Sequence, residues 1–224
     1  MQTGSRRSPV FVSILAAASL ALGLPAAADA PLDSRPAALH LVFVDLCDTA
    51  PELRHGTLRE IQALLKPVGM TVTGRTAFPA EGQASGGVFV VLMPFDPSRP
   101  RTLPAGGVAR RENGRQLTVW AFPPWVAGGL GLDLGQAARW TQRNRLQFQR
   151  AMAVVVVHEL AHALAGAQHR PDGLMSARLC RAQFLDPKLV VDADLFPAFL
   201  AGVAAIRAAA DPQANVVEIA SSVR

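Results

Sequence analysis

The stretch V-V-V-V-H-E-L-A-H-A-L-A-G-A-Q-H, ending at His169, most constrains what this chain can become. Four consecutive valines favour a strand, but they run on into an alanine-rich segment that Gly166 can stop as a helix C-cap. The spacing predicts one helix over residues 144–165, with its second half buried. On a helix, residues four apart share a face, so His158 and His162 can turn two imidazoles towards one ion. Glu159 then lies to the side of that ion, placed to take a proton from a bound water. This is the logic of the H-E-x-x-H zinc hydrolases, in which a third protein ligand and an open water position complete the site. Taken alone, the same residues also fit an apolar helix with two hydrogen-bonded histidines. The downstream sequence bears on that choice, because Gly166 can reverse the chain and His169 follows three residues later.

The segments before the motif give the fold class. Residues 38–46 read as a buried strand. Residues 51–66 have helical spacing, opened by Pro51 and closed by Pro67 and Gly69. Residues 70–73 are β-prone, residues 74–87 look like a loop, and residues 87–93 (G-V-F-V-V-L-M) are the strongest strand. A further loop covers residues 97–104. Residues 108–111 and 116–122, joined through Asn113-Gly114, read as a hairpin. Residues 123–131 read as a Gly/Pro-rich connection, and residues 192–210 as a last helical segment. The order predicts an α+β fold: a mixed sheet backed by two main helices.

Ahead of this lies the three-part layout of a secretory signal in residues 1–30. Arg6 and Arg7 precede an uncharged apolar stretch, Pro25 breaks it, and small residues follow. Ala26-Ala27-Ala28 and Ala28-Asp29-Ala30 both fit an A-x-A site; cleavage after Ala28 is preferred, because cleavage after Ala30 leaves Pro31 at the new terminus. The expectation is an exported protein, periplasmic or secreted, with no stable membrane insertion once the signal is removed. Residues 31–210 form the domain, and residues 211–224 a frayed tail.

Without residues 1–30 the formal charge is +4, from 20 basic and 16 acidic residues. The basic residues are scattered, and aromatics make up only 6% of the chain, so a basic groove interleaved with aromatics for nucleic acid is not indicated. Cys47 and Cys180 are the only cysteines; in an oxidising compartment they can form one bridge or remain two separate thiols. His40 and His55 read as a strand and a helix-surface residue. Trp120 and Trp125 read as core packing or as the lining of a cleft.

H-E-L-A-H-A-L-A-G-A-Q-H followed by G-L-M at residues 173–175 resembles the signature of the metzincin zinc peptidases, and is most similar to small secreted bacterial matrixin-like proteins. Only residues 158–175 are specific; the strand and helix before them match the usual entry into such domains loosely. The resemblance implies a zincin-type domain with an active-site helix, a methionine turn and a C-terminal helix. It implies one Zn2+ held by His158, His162 and His169, Glu159 as general base on a zinc-bound water, and Met175 in the methionine turn. It also implies an edge strand at Val108, Ala109 and Arg110 that pairs with an extended peptide substrate. The function so implied is a zinc-dependent endopeptidase; the alternative is an inactive protein of the same fold that keeps the metal.

The spacing departs from the family's common form. Ala163, Leu164 and Ala165 stand between the second histidine and the glycine, where two residues are usual. One more helical residue adds ~1.5 Å of rise and ~100° of turn. Either the last turn is distorted or the loop is re-routed for His169 to reach the ion; Gln168, Asp172 and Asp186 are lesser candidates for the third ligand. The chain also has no tyrosine, so no phenol can assist an oxyanion.

Overall fold

Three rows of apolar side chains run across a sheet and fix one of its faces. The computed structural model describes residues 37–77, 87–94, 107–112 and 116–210, all within the compact unit Arg35–Arg224. The expected signal segment over residues 1–30, the expected tail over residues 211–224, the expected loop over residues 97–104 and the expected turn at Asn113-Gly114 lie outside the described residues. Strands β1 (Ala37–Asp45), β2 (Met70–Ala77), β3 (Val88–Leu92), β4 (Gly107–Glu112) and β5 (Gln116–Ala121) form one sheet in the order β2-β1-β3-β5-β4. β2, β1, β3 and β5 are parallel, and β4 runs antiparallel to β5 at the edge. Residues in register across a sheet share a face. The rows Leu41–Val88–Leu117 and Phe43–Val90–Val119, with Leu92–Ala121 beyond them, are therefore stacked on one side, and all are buried.

Against this sheet pack α1 (Pro51–Leu65) and α3 (Gln142–Ala165). Every residue of α3 from Ala151 to Ala161 is buried. This is why four valines become helix. Each valine costs roughly 0.5 kcal/mol in helix propensity relative to alanine, whereas burying its side chain contributes about 1.5–3 kcal/mol, so the packing decides. The helix starts two residues earlier than the spacing suggests, because the Thr141 hydroxyl accepts the Asn144 amide at 3.2 Å and caps it. α1 crosses α3 where Gly56 leaves room for the Gln149 side chain, whose amide donates to the Glu52 carbonyl at 3.2 Å. The Arg150 guanidinium donates to the Leu189 carbonyl at 2.8 Å and lies 3.6 Å from Glu60, tying α1, α3 and the following loop together.

Three sequence expectations change. Residues 123–131 are not a plain connection: Pro123–Gly129 form a short helix, α2, with proline in its first turn. Proline there loses nothing, since its missing N–H has no helical partner at that position. The strand expected over residues 70–73 extends to Ala77 as β2, paired with β1 along its length. The expected last helical segment consists of a 3-10 turn, Ala193–Leu195, and α5 (Phe196–Ala210). α5 approaches α3 closely: a Cβ on Gly202 would stand 2.3 Å from the Leu164 carbonyl oxygen. A four-residue helix, α4 (Arg181–Phe184), lies between them. Among the described residues, no helix is long and apolar enough to cross a membrane.

Candidate metal centre

The C-terminal third of α3 carries His158, Glu159 and His162; the extra residue of the motif is absorbed where the helix ends. In an α-helix an amide reaches back four residues. Here the Gly166 amide reaches back five, to the Ala161 carbonyl, and the Ala167 amide bonds the same oxygen at 3.2 Å. A turn closed this way holds one residue more than an α turn, in the manner of the π-type turns found near functional sites. Gly166 then adopts φ +60°, a left-handed conformation that favours glycine, and the chain reverses. Of the two ways open to the sequence, the chain takes the distorted last turn.

The reversal places His169 over the helix. His162 Nε2 lies 3.0 Å from His158 Nε2 and 3.1 Å from His169 Nε2. The ligating atoms of all three fall within 4.8 Å of one another, the one such group of three among the described residues. His158 is buried, His162 half-buried and His169 exposed, so the site opens towards solvent on the His169 side. Asp172, Asp186 and Gln168 lie outside the cluster. The Asp186 carboxylate accepts the Lys188 amide at 2.8 Å, and the Gln168 amide faces the Gly166 carbonyl at 3.4 Å.

The hydrogen bonds behind the rings set which nitrogen faces the centre. His158 Nδ1 lies 2.8 Å from the Leu174 carbonyl oxygen, and His162 Nδ1 lies 2.6 Å from that of Ala167. A carbonyl can only accept, so each Nδ1 carries the hydrogen, and each neutral ring points a bare Nε2 lone pair inward. Burial keeps them neutral. It drives His158 down to about 4, opposed by the Leu174 hydrogen bond and aided by the neighbouring histidines, and it lowers His162 for the same primary reason. Two lone pairs facing each other at 3.0 Å repel unless a cation stands between them. Tetrahedral zinc, with Zn–N near 2.0–2.1 Å, sets its nitrogen ligands ~3.3 Å apart. The donor set therefore fits a zinc ion, with the Leu174 and Ala167 carbonyls already fixing the tautomers.

Leu174 and Met175 belong to a tight turn. The Arg170 amide donates to the Met175 carbonyl at 2.8 Å, Gly173 takes φ +70°, and Met175 is fully buried. Met175 directly follows Leu174, the residue whose carbonyl oxygen orients His158.

Glu159 lies on the side of α3 that meets the sheet edge. It is buried, and its carboxylate accepts a hydrogen bond from the Ala109 amide of β4. Burial pushes its pKa up to about 7, and the Ala109 bond works against that rise. β4 approaches so closely that a Cβ on Gly107 would stand 2.8 Å from Glu159 Cγ and 2.7 Å from the Trp120 carbonyl oxygen. The edge segment expected at Val108, Ala109 and Arg110 is the middle of this strand. The contributions of the Ala109, Leu174 and Ala167 main chain have no sequence signal, since every residue type presents the same carbonyl and every one but proline the same amide.

The other singled-out residues lie elsewhere. Cys47 and Cys180 are both free thiols, so the bridge considered from sequence is absent. Cys47 is half-buried, and burial, with Asp45 and Asp48 beside it, pushes its pKa up to about 12; Cys180 is exposed ahead of α4, its amide donating to Gln183. His40 pairs with Thr73 at 2.8 Å across β1 and β2, and His55 is exposed on α1. Trp125 packs edge-on against Phe184, with ring centroids 6.4 Å apart. A cleft of about 500 Å³ lined by Cys47, Asp48, Pro124 and Asp133, among others, includes none of the three histidines.

Among solved structures, the chain is similar to an archaemetzincin from Methanopyrus kandleri, with a TM-score of 0.47 and 17% identity over 77% of this chain and 99% of that one. It is also similar to metalloproteinase-II from Bacteroides fragilis, with a TM-score of 0.43 and 13% identity over 75% of this chain; it spans about half of that protein, 53%. No protein-family model matches the chain, and no curated protein matches it. Likenesses this distant do not bear on the chemistry, which rests on the histidine cluster and its surroundings.

Proposed function

We propose that the chain is an exported zinc-dependent endopeptidase. The observation that carries this reading is the convergence of three Nε2 atoms, two of them with their Nδ1–H groups already committed to main-chain carbonyls, beside a buried glutamate. His158, His162 and His169 would hold the ion. Three imidazoles suit zinc and leave a position open. Zinc bound there supplies a Lewis acid that polarises a carbonyl and draws the pKa of a water towards neutrality.

The remaining steps belong to the chain. Glu159, held by the Ala109 amide, receives the proton from the attacking water at its carboxylate and passes it to the leaving amide nitrogen. β4, at the sheet edge next to Glu159, supports a substrate bound as an extended strand along free main-chain groups. With no tyrosine in the chain, the oxyanion depends on the ion and on main-chain amides. The signal-like segment over residues 1–30 supports export.

The test measures zinc in the purified protein, then cleavage of unstructured polypeptides with and without chelator. About one zinc per chain is expected, with chelator-sensitive cleavage. Glu159→Gln should keep the zinc and lose activity by about 10²–10⁴-fold. A protein without zinc at neutral pH refutes the reading. Zinc without cleavage, unchanged by Glu159→Gln, leaves the inactive metal-holding protein instead.

A further inference from the structure

Two of the three histidines are steadied from behind, and the third is not. His158 and His162 each give Nδ1–H to a carbonyl, whereas among the described residues the His169 ring stacks on His158 and has no hydrogen-bonding partner apart from His162. It stands exposed in the coil after Gly166, where no helix fixes the backbone. The next residue, Arg170, is tied on both sides. Its amide bonds the Met175 carbonyl at 2.8 Å. Its guanidinium grips two carboxylates, Asp192 Oδ2 at 3.0 Å and Asp194 Oδ1 and Oδ2 at 3.3 and 2.5 Å. Asp192 caps the 3-10 turn that opens into α5 and Asp194 lies within it, and α5 packs back onto α3 through Gly202 against Leu164, next to the widened turn. The segment bearing His169 is thus closed into a ring: α3, the reversal, Arg170, the aspartates, α5 and α3 again.

We propose that Arg170 is the positioning residue for His169, doing through Asp192 and Asp194 what the Leu174 and Ala167 carbonyls do for the other two histidines. This rests on the metal-centre reading above. A planar guanidinium held by two carboxylates fixes direction as well as distance. Fixing the Arg170 backbone fixes the one before it, so the His169 ring is presented with less freedom to lose on ligation. A lysine keeps the charge without the fork and should only partly replace it.

The experiment uses the full chain and two probes, Zn2+ affinity by chelator competition and the visible absorption of the Co2+-loaded protein. Arg170→Met is expected to weaken Zn2+ binding by about 10–100-fold, the usual cost of losing an outer-shell partner. It should also shift the Co2+ spectrum towards that of His169→Ala, with Arg170→Lys falling between. In a His169→Ala background, Arg170→Met should add no further loss. Equal losses in both backgrounds, or affinity within twofold of the parent with an unchanged Co2+ spectrum, overturn the proposal. Should Arg170→Met fail to fold, Asp192→Asn/Asp194→Asn makes the same test from the other side of the ion pair, and unchanged affinity there overturns it equally. A parent protein that takes up neither metal overturns the metal-centre reading itself, a different failure.

Discussion

Replacing Gly107 by alanine puts the contact between β4 and α3 to a test of sign. A glycine inside a strand is destabilising relative to alanine by roughly 0.5–1 kcal/mol, so with open space around it Gly107→Ala would stabilise the protein. The space is not open. The new methyl would lie 2.7 Å from the Trp120 carbonyl oxygen, 2.8 Å from Glu159 Cγ and 3.1 Å from Val155 Cγ1. Trp120 belongs to β5, which is paired on both sides, and Val155 is packed in the core. Neither can yield easily, so β4 must lift or Glu159 must turn. Carbon contacts settle near ~3.5 Å, which requires an opening of roughly 0.7 Å. Overpacking of this kind costs about 1–3 kcal/mol. Set against the gain from removing a glycine, the net loss is up to about 2.5 kcal/mol, on the order of 5–10 °C in Tm for a domain of this size. Urea unfolding followed by tryptophan fluorescence reads the stability. Activity should fall more steeply, towards ~10²-fold, because a catalytic group misplaced by ~1 Å costs that much, while zinc content stays at parent level. A midpoint that rises, or stays put with full activity, would refute the close approach of β4 to Glu159.

Three further outcomes follow from features described above. Gly166→Ala meets no atom within 4 Å but must hold φ +60°, so it should lose about 1–2 kcal/mol and bind Zn2+ more weakly; equal stability in thermal melts would mean that the widened turn does not form. Gly202→Ala should destabilise, although alanine is the better helix former by ~1 kcal/mol, because its methyl would fall 2.3 Å from the Leu164 carbonyl oxygen; a rise in Tm would contradict the α3–α5 crossing. With its pKa pushed up to about 12, Cys47 stays almost wholly thiol at pH 8, so iodoacetamide should label exposed Cys180 first. Peptide mapping that finds both labelled at one rate would count against the burial of Cys47.

What could be read from the chain alone follows from what leaves a periodic trace. The strands and both main helices do, and the positions of His158, Glu159 and His162 on one helix follow from spacing alone. The fate of the extra residue did not, because a widened turn and a re-routed loop fit the same letters; only the Ala161 carbonyl, shared by Gly166 and Ala167, separates them. α2 was hidden because proline and glycine read as breakers even where proline starts a helix well. The Arg170 ion pairs were hidden for a different reason: Asp192 and Asp194 lie more than twenty residues further on and carry no motif.

The acceptors behind His158 and His162 are main-chain oxygens, and that shapes how the centre can be altered. No single side-chain replacement at Leu174 or Ala167 deletes its carbonyl, so the two inward-facing tautomers are insulated from most point substitutions at the residues that supply them. The vulnerability passes instead to whatever sets the path of the peptide planes. Grafting this centre onto another scaffold by copying the histidines and the glutamate alone would transfer the ligands without their aim; residues 158–176 would have to move as one piece, with Asp192 and Asp194 to hold Arg170.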